Sequence, residues 1–162
     1  MMKKTILWIL VVFCMGTIFF FSSQEASESK KVSSGIIKSV VRVFDFDDNL
    51  SEGKITDIAE KLTFIVRKGA HFSAYAIICI LWALLLNEYN VVGKRNFVLS
   101  VLICFLYACS DEIHQIFVPG RSGEVRDVII DTCGAITGFL ILLGFITLKK
   151  KIKSRKNIPV RY

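Results

Sequence analysis

Both histidines of this chain lie in polar clusters at the edges of hydrophobic stretches, His71 in RKGAHF and His114 in DEIHQIFVPGR. A third cluster, RDVIID, opens the last apolar run with Asp127 and Asp131. These residue types can do two kinds of chemistry. Guanidinium and ammonium groups bind phosphates and carboxylates, which makes Arg121 and Lys68 candidate anion ligands. Partly buried carboxylates and imidazoles serve as general acids and bases, which makes Glu112, Asp127 and His71 the candidate catalytic groups. There is no G-x-S-x-G nucleophile motif and no H-E-x-x-H or other fixed ligand spacing, so neither a metal nor another cofactor is expected.

Three readings of the clusters stay open. They bind an anionic ligand without reacting, they form the site of a hydrolase or transferase, or they lock helices together, with Arg121 paired to Glu112 and Asp127 and Gln115 satisfying backbone. The supply of acids favours a site. Pairing Arg121 needs one or two carboxylates, whereas Asp111, Glu112, Glu124, Asp127 and Asp131 are all at hand. Such a surplus points to an open, water-accessible pocket, because ionisable groups near membrane depth face protein or a wet cavity rather than lipid.

The elements that must position these groups are read from hydropathy. Of the 162 residues, 53% are hydrophobic, and four runs carry most of that weight: Ile6–Phe21, Phe72–Leu86, Phe97–Phe117 and Val128–Leu148. A helix crosses the hydrocarbon core with about 20 residues. The second and third runs reach that length only if they include their polar clusters. The chain is therefore expected to be all-α, a single domain over 1–162 with transmembrane helices at about 5–22, 66–86, 97–117 and 128–148. The N-terminal run follows Lys3 and Lys4 as in a secretory signal, but FFFSSQEAS lacks the usual small-x-small cleavage site, so a retained anchor is expected.

The first loop, 23–65, carries two amphipathic stretches. Val32, Ile36, Ile37, Val40, Val41 and Phe44 recur at helical spacing, as do Ile55, Ile58, Ala59, Leu62 and Ile65. Both are expected to be interfacial helices lying apolar face down, separated by the turn formers of DFDDNLSEG. In the last run Asp127, Asp131, Gly134 and Gly138 share one helix face, and Gly134-Ala-Ile-Thr-Gly138 is a Gly-x-x-x-Gly arrangement that permits close helix approach. The five cysteines all fall inside apolar runs and are expected to be buried free thiols.

The net charge of +7 is concentrated in the tail 149–162. A basic run after a membrane helix reads as an anchor on anionic lipid, and no aromatic-interleaved basic face accompanies it, so nucleic acid is not an expected partner. Transport has little support, since four helices offer little room for an alternating pathway and no repeat is present. A homo-oligomer would supply more room and stays open.

The segment DEIHQIFVPGRSGEVRDVIIDTCGAITGF, with KGAHFSAY ahead of the second run, resembles the signature of the VanZ-like membrane proteins. That family is named for a protein linked to teicoplanin resistance. The resemblance covers residues 66–142 and carries over to Lys68, His71, Tyr75, Glu112, Gln115, Arg121, Asp127, Asp131, Gly134 and Gly138. The first eight would be ligand-binding and the two glycines would serve helix packing. One position departs from the pattern, Asp131, where an amide is the expectation. The resemblance implies a multi-pass protein of the bacterial cytoplasmic membrane with an envelope role. Its ligand would be lipid-linked, cell-wall-derived or glycopeptide-like.

Basic residues divide almost evenly, eleven on the side of the termini and ten on the other. Density separates the sides, because the seven bases of the tail have no acid among them while the first loop's bases are matched by acids. Both termini are therefore expected in the cytoplasm and the three clusters outside. With the native thiols replaced, a cysteine at Ser122 should react with an impermeant maleimide on intact cells. Reaction only when the reagent enters from the cytoplasmic side would reverse the orientation.

Overall fold

A computed structural model describes residues 2–24, 35–37, 39–40 and 51–156. Four long helices dominate: α1 Met2–Ser22, α2 Glu52–Glu88, α3 Gly93–Gln115 and α4 Val125–Lys156. No strand occurs among the described residues. Each helix is long and apolar enough to cross a membrane. Their outer faces expose Phe13, Ile77, Leu106 and Ile141, among others. Apolar exposure on that scale suits lipid rather than water.

The first amphipathic stretch, apart from the helical residues 35–37 and 39–40, lies outside the described residues, as do 41–50 and the tail beyond 156. The second stretch does not form a separate element. It is continuous with the second membrane helix, which starts at Glu52 instead of near residue 66. No proline or cluster of turn formers separates Ile55 from Ile65, so the helical repeat passes unbroken into the apolar run. The 37 residues of α2 span about 55 Å at about 1.5 Å each. A hydrocarbon core is about 30 Å thick, so the first turns of α2 overhang it. Within that overhang Ile55, Ala59 and Thr63, one stripe at i, i+4, i+8, are buried.

The faces of α3 are arranged for a membrane. Its buried stripe is Asn96, Ser100, Cys104, Ala108, Asp111, Glu112 and Gln115, small or polar throughout, while Val98, Leu102, Phe105 and Leu106 point outward. Asn96 Nδ2 donates to Ala83 O at 3.0 Å and Val91 O at 2.8 Å, and Ser100 Oγ donates to Asn96 Oδ1 at 3.1 Å. Small and polar groups at helix contacts are what membrane bundles use, since apolar side chains gain little by leaving lipid for protein.

α4 lies closest to α2. A Cβ on Gly134 would stand 2.2 Å from Phe72 O, and one on Gly138 would stand 2.2 Å from Ala76 O. Only glycine lets the two backbones meet at that separation. At the end holding the N-terminus, Lys3 pairs with Glu88 and Trp8 Nε1 donates to Tyr89 Oη at 3.2 Å, which ties α1 to α2. At the other end Tyr107 Oη donates to Met15 O at 2.6 Å and the Phe19 ring stacks on His114 at 4.4 Å, tying α1 to α3. All five cysteines are free, but only Cys79 and Cys104 are buried as expected; Cys14 and Cys109 are half-buried and Cys133 faces outward.

Candidate functional site

Antiparallel connectivity brings the end of α1, the overhang of α2, the end of α3 and the start of α4 to one end of the bundle. The three polar clusters meet there around a cleft of about 440 Å³. Glu60, Thr63, Phe64, Arg67 and Lys68 of α2 form one wall, and the α3–α4 turn with Gln115, Arg121, Glu124 and Asp127 forms the other.

The turn is held by the backbone. Val118 N–H donates to Gln115 O at 3.0 Å and Arg121 N–H to Val118 O at 3.1 Å. Between them Pro119 cannot continue a helix and Gly120 adopts φ +73°, a left-handed conformation that favours glycine. Glu112, buried at the end of α3, fixes the far side of the turn: its Oε2 accepts the Glu124 N–H at 2.7 Å. Its Oε1 accepts from Gln115 Nε2 at 3.1 Å.

Arg121 is not paired with Glu112 or Asp127. Its Nε donates to Gln24 O at 2.8 Å and its Nη2 to Phe21 O at 2.9 Å, while Nη1 reaches Gln115 Oε1 at 3.4 Å. The guanidinium thus caps the C-terminal end of α1, where carbonyls lack intrahelical partners and the helix dipole is negative. Carbonyl oxygens satisfy it without a carboxylate. The remaining N–H groups of its five-donor fork are left for the cleft. Burial first, then the like charge of Arg67, pulls the Arg121 guanidinium below its usual range, with Asp111 and Glu112 opposing. It stays cationic at physiological pH.

Asp127, in the first turn of α4, pairs with Lys68, and Glu124 Oε2 stands 3.8 Å from the same ammonium. One turn deeper His71 Nδ1 is 3.7 Å from Asp131 Oδ2. The Tyr75 hydroxyl and both Asp131 oxygens are buried with no hydrogen-bond partner. Of the three candidate catalytic groups only Asp127 lines the cleft. Glu112 has both oxygens engaged, and His71 faces Asp131. His114, the other cluster histidine, lies against α1, its Nε2 3.1 Å from Ser23 Oγ. No set of three or more His, Cys, Asp or Glu groups suited to a metal occurs among the described residues.

Ser22 and Gln24 were not singled out by sequence, yet Ser22 Oγ donates to Asp111 Oδ2 at 2.8 Å and the Gln24 carbonyl receives Arg121. Ser22 ends an apolar run at the boundary of the first helix and the first loop, so nothing in its spacing marks it. Glu60, Thr63 and Phe64 line the cleft beside Arg67 because α2 is continuous, which the placement of residues 55–65 as a separate helix hides.

The VanZ/LLP1 family profile matches residues 7–148, which takes in all four helices and every residue of this site. The chain belongs to the VanZ/LLP1 family. Neither a curated protein nor a solved structure matches it. With four apolar helices the VanZ-like chain is a multi-pass membrane protein.

Arg121→Lys removes the fork that spans Phe21, Gln24 and Gln115 while keeping the charge. A hydrogen bond from a charged group contributes about 1.5–3 kcal/mol. The variant should lower the melting temperature of the detergent-purified protein by the equivalent of about 2 kcal/mol or more. An unchanged melting temperature would remove the capping role.

Proposed function

We propose that this protein sits in the bacterial cytoplasmic membrane with both termini inside. We propose further that its outward cleft binds an anionic, lipid-linked or cell-wall-derived ligand. One observation carries the reading. Arg67 and Arg121 line the same cleft, and among the described residues neither has a carboxylate within ion-pair distance. Two like charges repel across a shared space, and an anion between them relieves that repulsion while accepting their unused N–H groups.

Lys68 is not a third free cation, because Asp127 and Glu124 hold it. The helix-locking reading accounts for Arg121 but gives Arg67 nothing to do. Acid–base catalysis is less favoured than binding because Glu112 and His71 do not line the cleft and Asp127 is ion-paired. The orientation is supported by Lys3, Lys4, Lys94, Arg95 and the bases from Lys149 to Lys153, which cluster at the end opposite the cleft. The family's name links it to teicoplanin resistance, which makes teicoplanin susceptibility the phenotype to read beside binding.

Inorganic phosphate serves as the probe. At saturating phosphate the purified protein should gain about 2–3 kcal/mol of stability, read as a rise in melting temperature over chloride at equal ionic strength. Arg67→Gln should melt like the unsubstituted protein without phosphate and lose the rise with it. In cells it should match the deletion strain in teicoplanin susceptibility at normal protein level. No response of the unsubstituted protein, or a full response of Arg67→Gln, would refute anion binding here.

A further inference from the structure

Beneath the cleft the same three helices carry a second tier of polar groups. Along α2, Lys68 is followed by His71 and Tyr75; along α4, Asp127 is followed by Asp131; along α3, Asp111 precedes Gln115 by one turn. The outer tier is paired, Lys68 with Asp127 and Glu124. In the inner tier the charged contact is His71 Nδ1 to Asp131 Oδ2 at 3.7 Å, too long for a hydrogen bond. Asp131 and Tyr75 are both 0% exposed, and neither Asp131 oxygen nor the Tyr75 hydroxyl has a hydrogen-bond partner. Asp111 is buried with Oδ1 equally bare, although its Oδ2 accepts from Ser22 at 2.8 Å and from Gln115 at 3.0 Å.

All four orphan atoms of this tier are oxygens, and three belong to carboxylates, which when ionised accept and cannot donate. Buried acceptors of this kind require donors. Charge is short as well. Within the inner tier two carboxylates, Asp111 and Asp131, face at most the one positive charge of His71. Water would supply donors but not charge. Gln115 forms the floor between the tiers, donating to Asp111 and Glu112 and accepting from Arg121. Half-exposed His71 borders the inner tier beside it.

We propose that the inner tier of Asp131, Asp111 and Tyr75 receives a primary ammonium group of the ligand, whose anionic group lies against Arg67 and Arg121. The ligand is then a zwitterion whose two charges are separated by a few bonds, since the tiers are one helical turn, about 5 Å, apart. This rests on the anion-binding reading above and adds the chemistry of the ligand's other end. An ammonium supplies three N–H donors and the missing positive charge together. A quaternary ammonium has the charge without the donors, and a hydroxyl the donor without the charge.

Four soluble probes separate these cases: inorganic phosphate, O-phosphoethanolamine, phosphocholine and glycerol phosphate, each titrated into the detergent-purified full chain and followed by melting temperature. O-Phosphoethanolamine should bind at least tenfold tighter than phosphate, with phosphocholine and glycerol phosphate close to phosphate. Asp131→Asn, which is isosteric, should remove that gain and leave phosphate binding intact. Tyr75→Phe should reduce the gain while keeping the ring, and serves alone should Asp131→Asn fail to fold. Phosphate binding with no gain from the ammonium would overturn the inference while leaving the anion reading standing. A gain that survives both substitutions, or an equal gain with glycerol phosphate, would overturn it too. Tight O-phosphoethanolamine binding without phosphate binding would support the ammonium tier and count against Arg67 and Arg121 as the anion site. Binding of neither would sink both.

Discussion

The close approach of α4 to α2 is the contact on which the rest of this molecule depends. Gly134 and Gly138 let the α4 backbone ride against Phe72 and Ala76 of α2, where a single added carbon would stand 2.2 Å from a carbonyl oxygen. In lipid the gain from such a contact comes from dispersion between closely fitted backbones rather than from expelling water. The same face of α4 carries Asp131 and Asp127 one and two turns nearer its start. Once the glycines are seated, Asp131 is brought to His71 and Asp127 to Lys68. The polar site is thus a geometric consequence of the packing contact beneath it. A carboxylate in the bundle stays off lipid because the neighbouring glycines turn it inward.

A second constraint fixes the open side of the site. Arg121 is held by two carbonyls at the end of α1 and by Gln115, so it ties together the α3–α4 turn, the end of α1 and the floor of the cleft. Glu112 adds a bond from α3 to the backbone of Glu124 across the same turn. These groups account for part of the polarity at this end by structure alone. What they do not use is Arg67, the remaining N–H groups of Arg121 and the bare oxygens of Asp111, Asp131 and Tyr75. Structure and site are therefore different subsets of one cluster, and Arg67 marks the division most cleanly because no described partner holds it.

Much of this was legible in the sequence, for reasons that differ from residue to residue. The four membrane helices followed from apolar run lengths, and the inward face of α4 from two carboxylates and two glycines on one stripe. The continuity of α2 was not legible, because an amphipathic stretch at an interface and one that overhangs a membrane have the same helical period. That ambiguity also hid the wall of the cleft formed by Glu60, Thr63 and Phe64. In the helix-locking reading the partners of Arg121 are carboxylates, the usual expectation for a guanidinium among acids. Its actual partners are backbone carbonyls about a hundred positions earlier in the chain, and a carbonyl leaves no mark in a sequence. The polar core stripe of α3 was hidden in a similar way, since hydropathy alone does not tell which side of a membrane helix meets protein.

The sign of a small change at Gly134 tests the central claim most directly. Replacing glycine by alanine inside a helix ordinarily stabilises it by up to about 1 kcal/mol. Gly144→Ala, where an added carbon meets nothing within 4 Å, should therefore melt at or above the temperature of the unsubstituted protein. Gly134→Ala should melt below it by the equivalent of about 1–3 kcal/mol, the usual cost of forcing one extra carbon into a filled contact. Melting of both variants in the same detergent, side by side, decides the matter. A Gly134→Ala protein as stable as Gly144→Ala would mean that α2 and α4 do not meet at this glycine, and the placement of Asp131 beside His71 would fall with it.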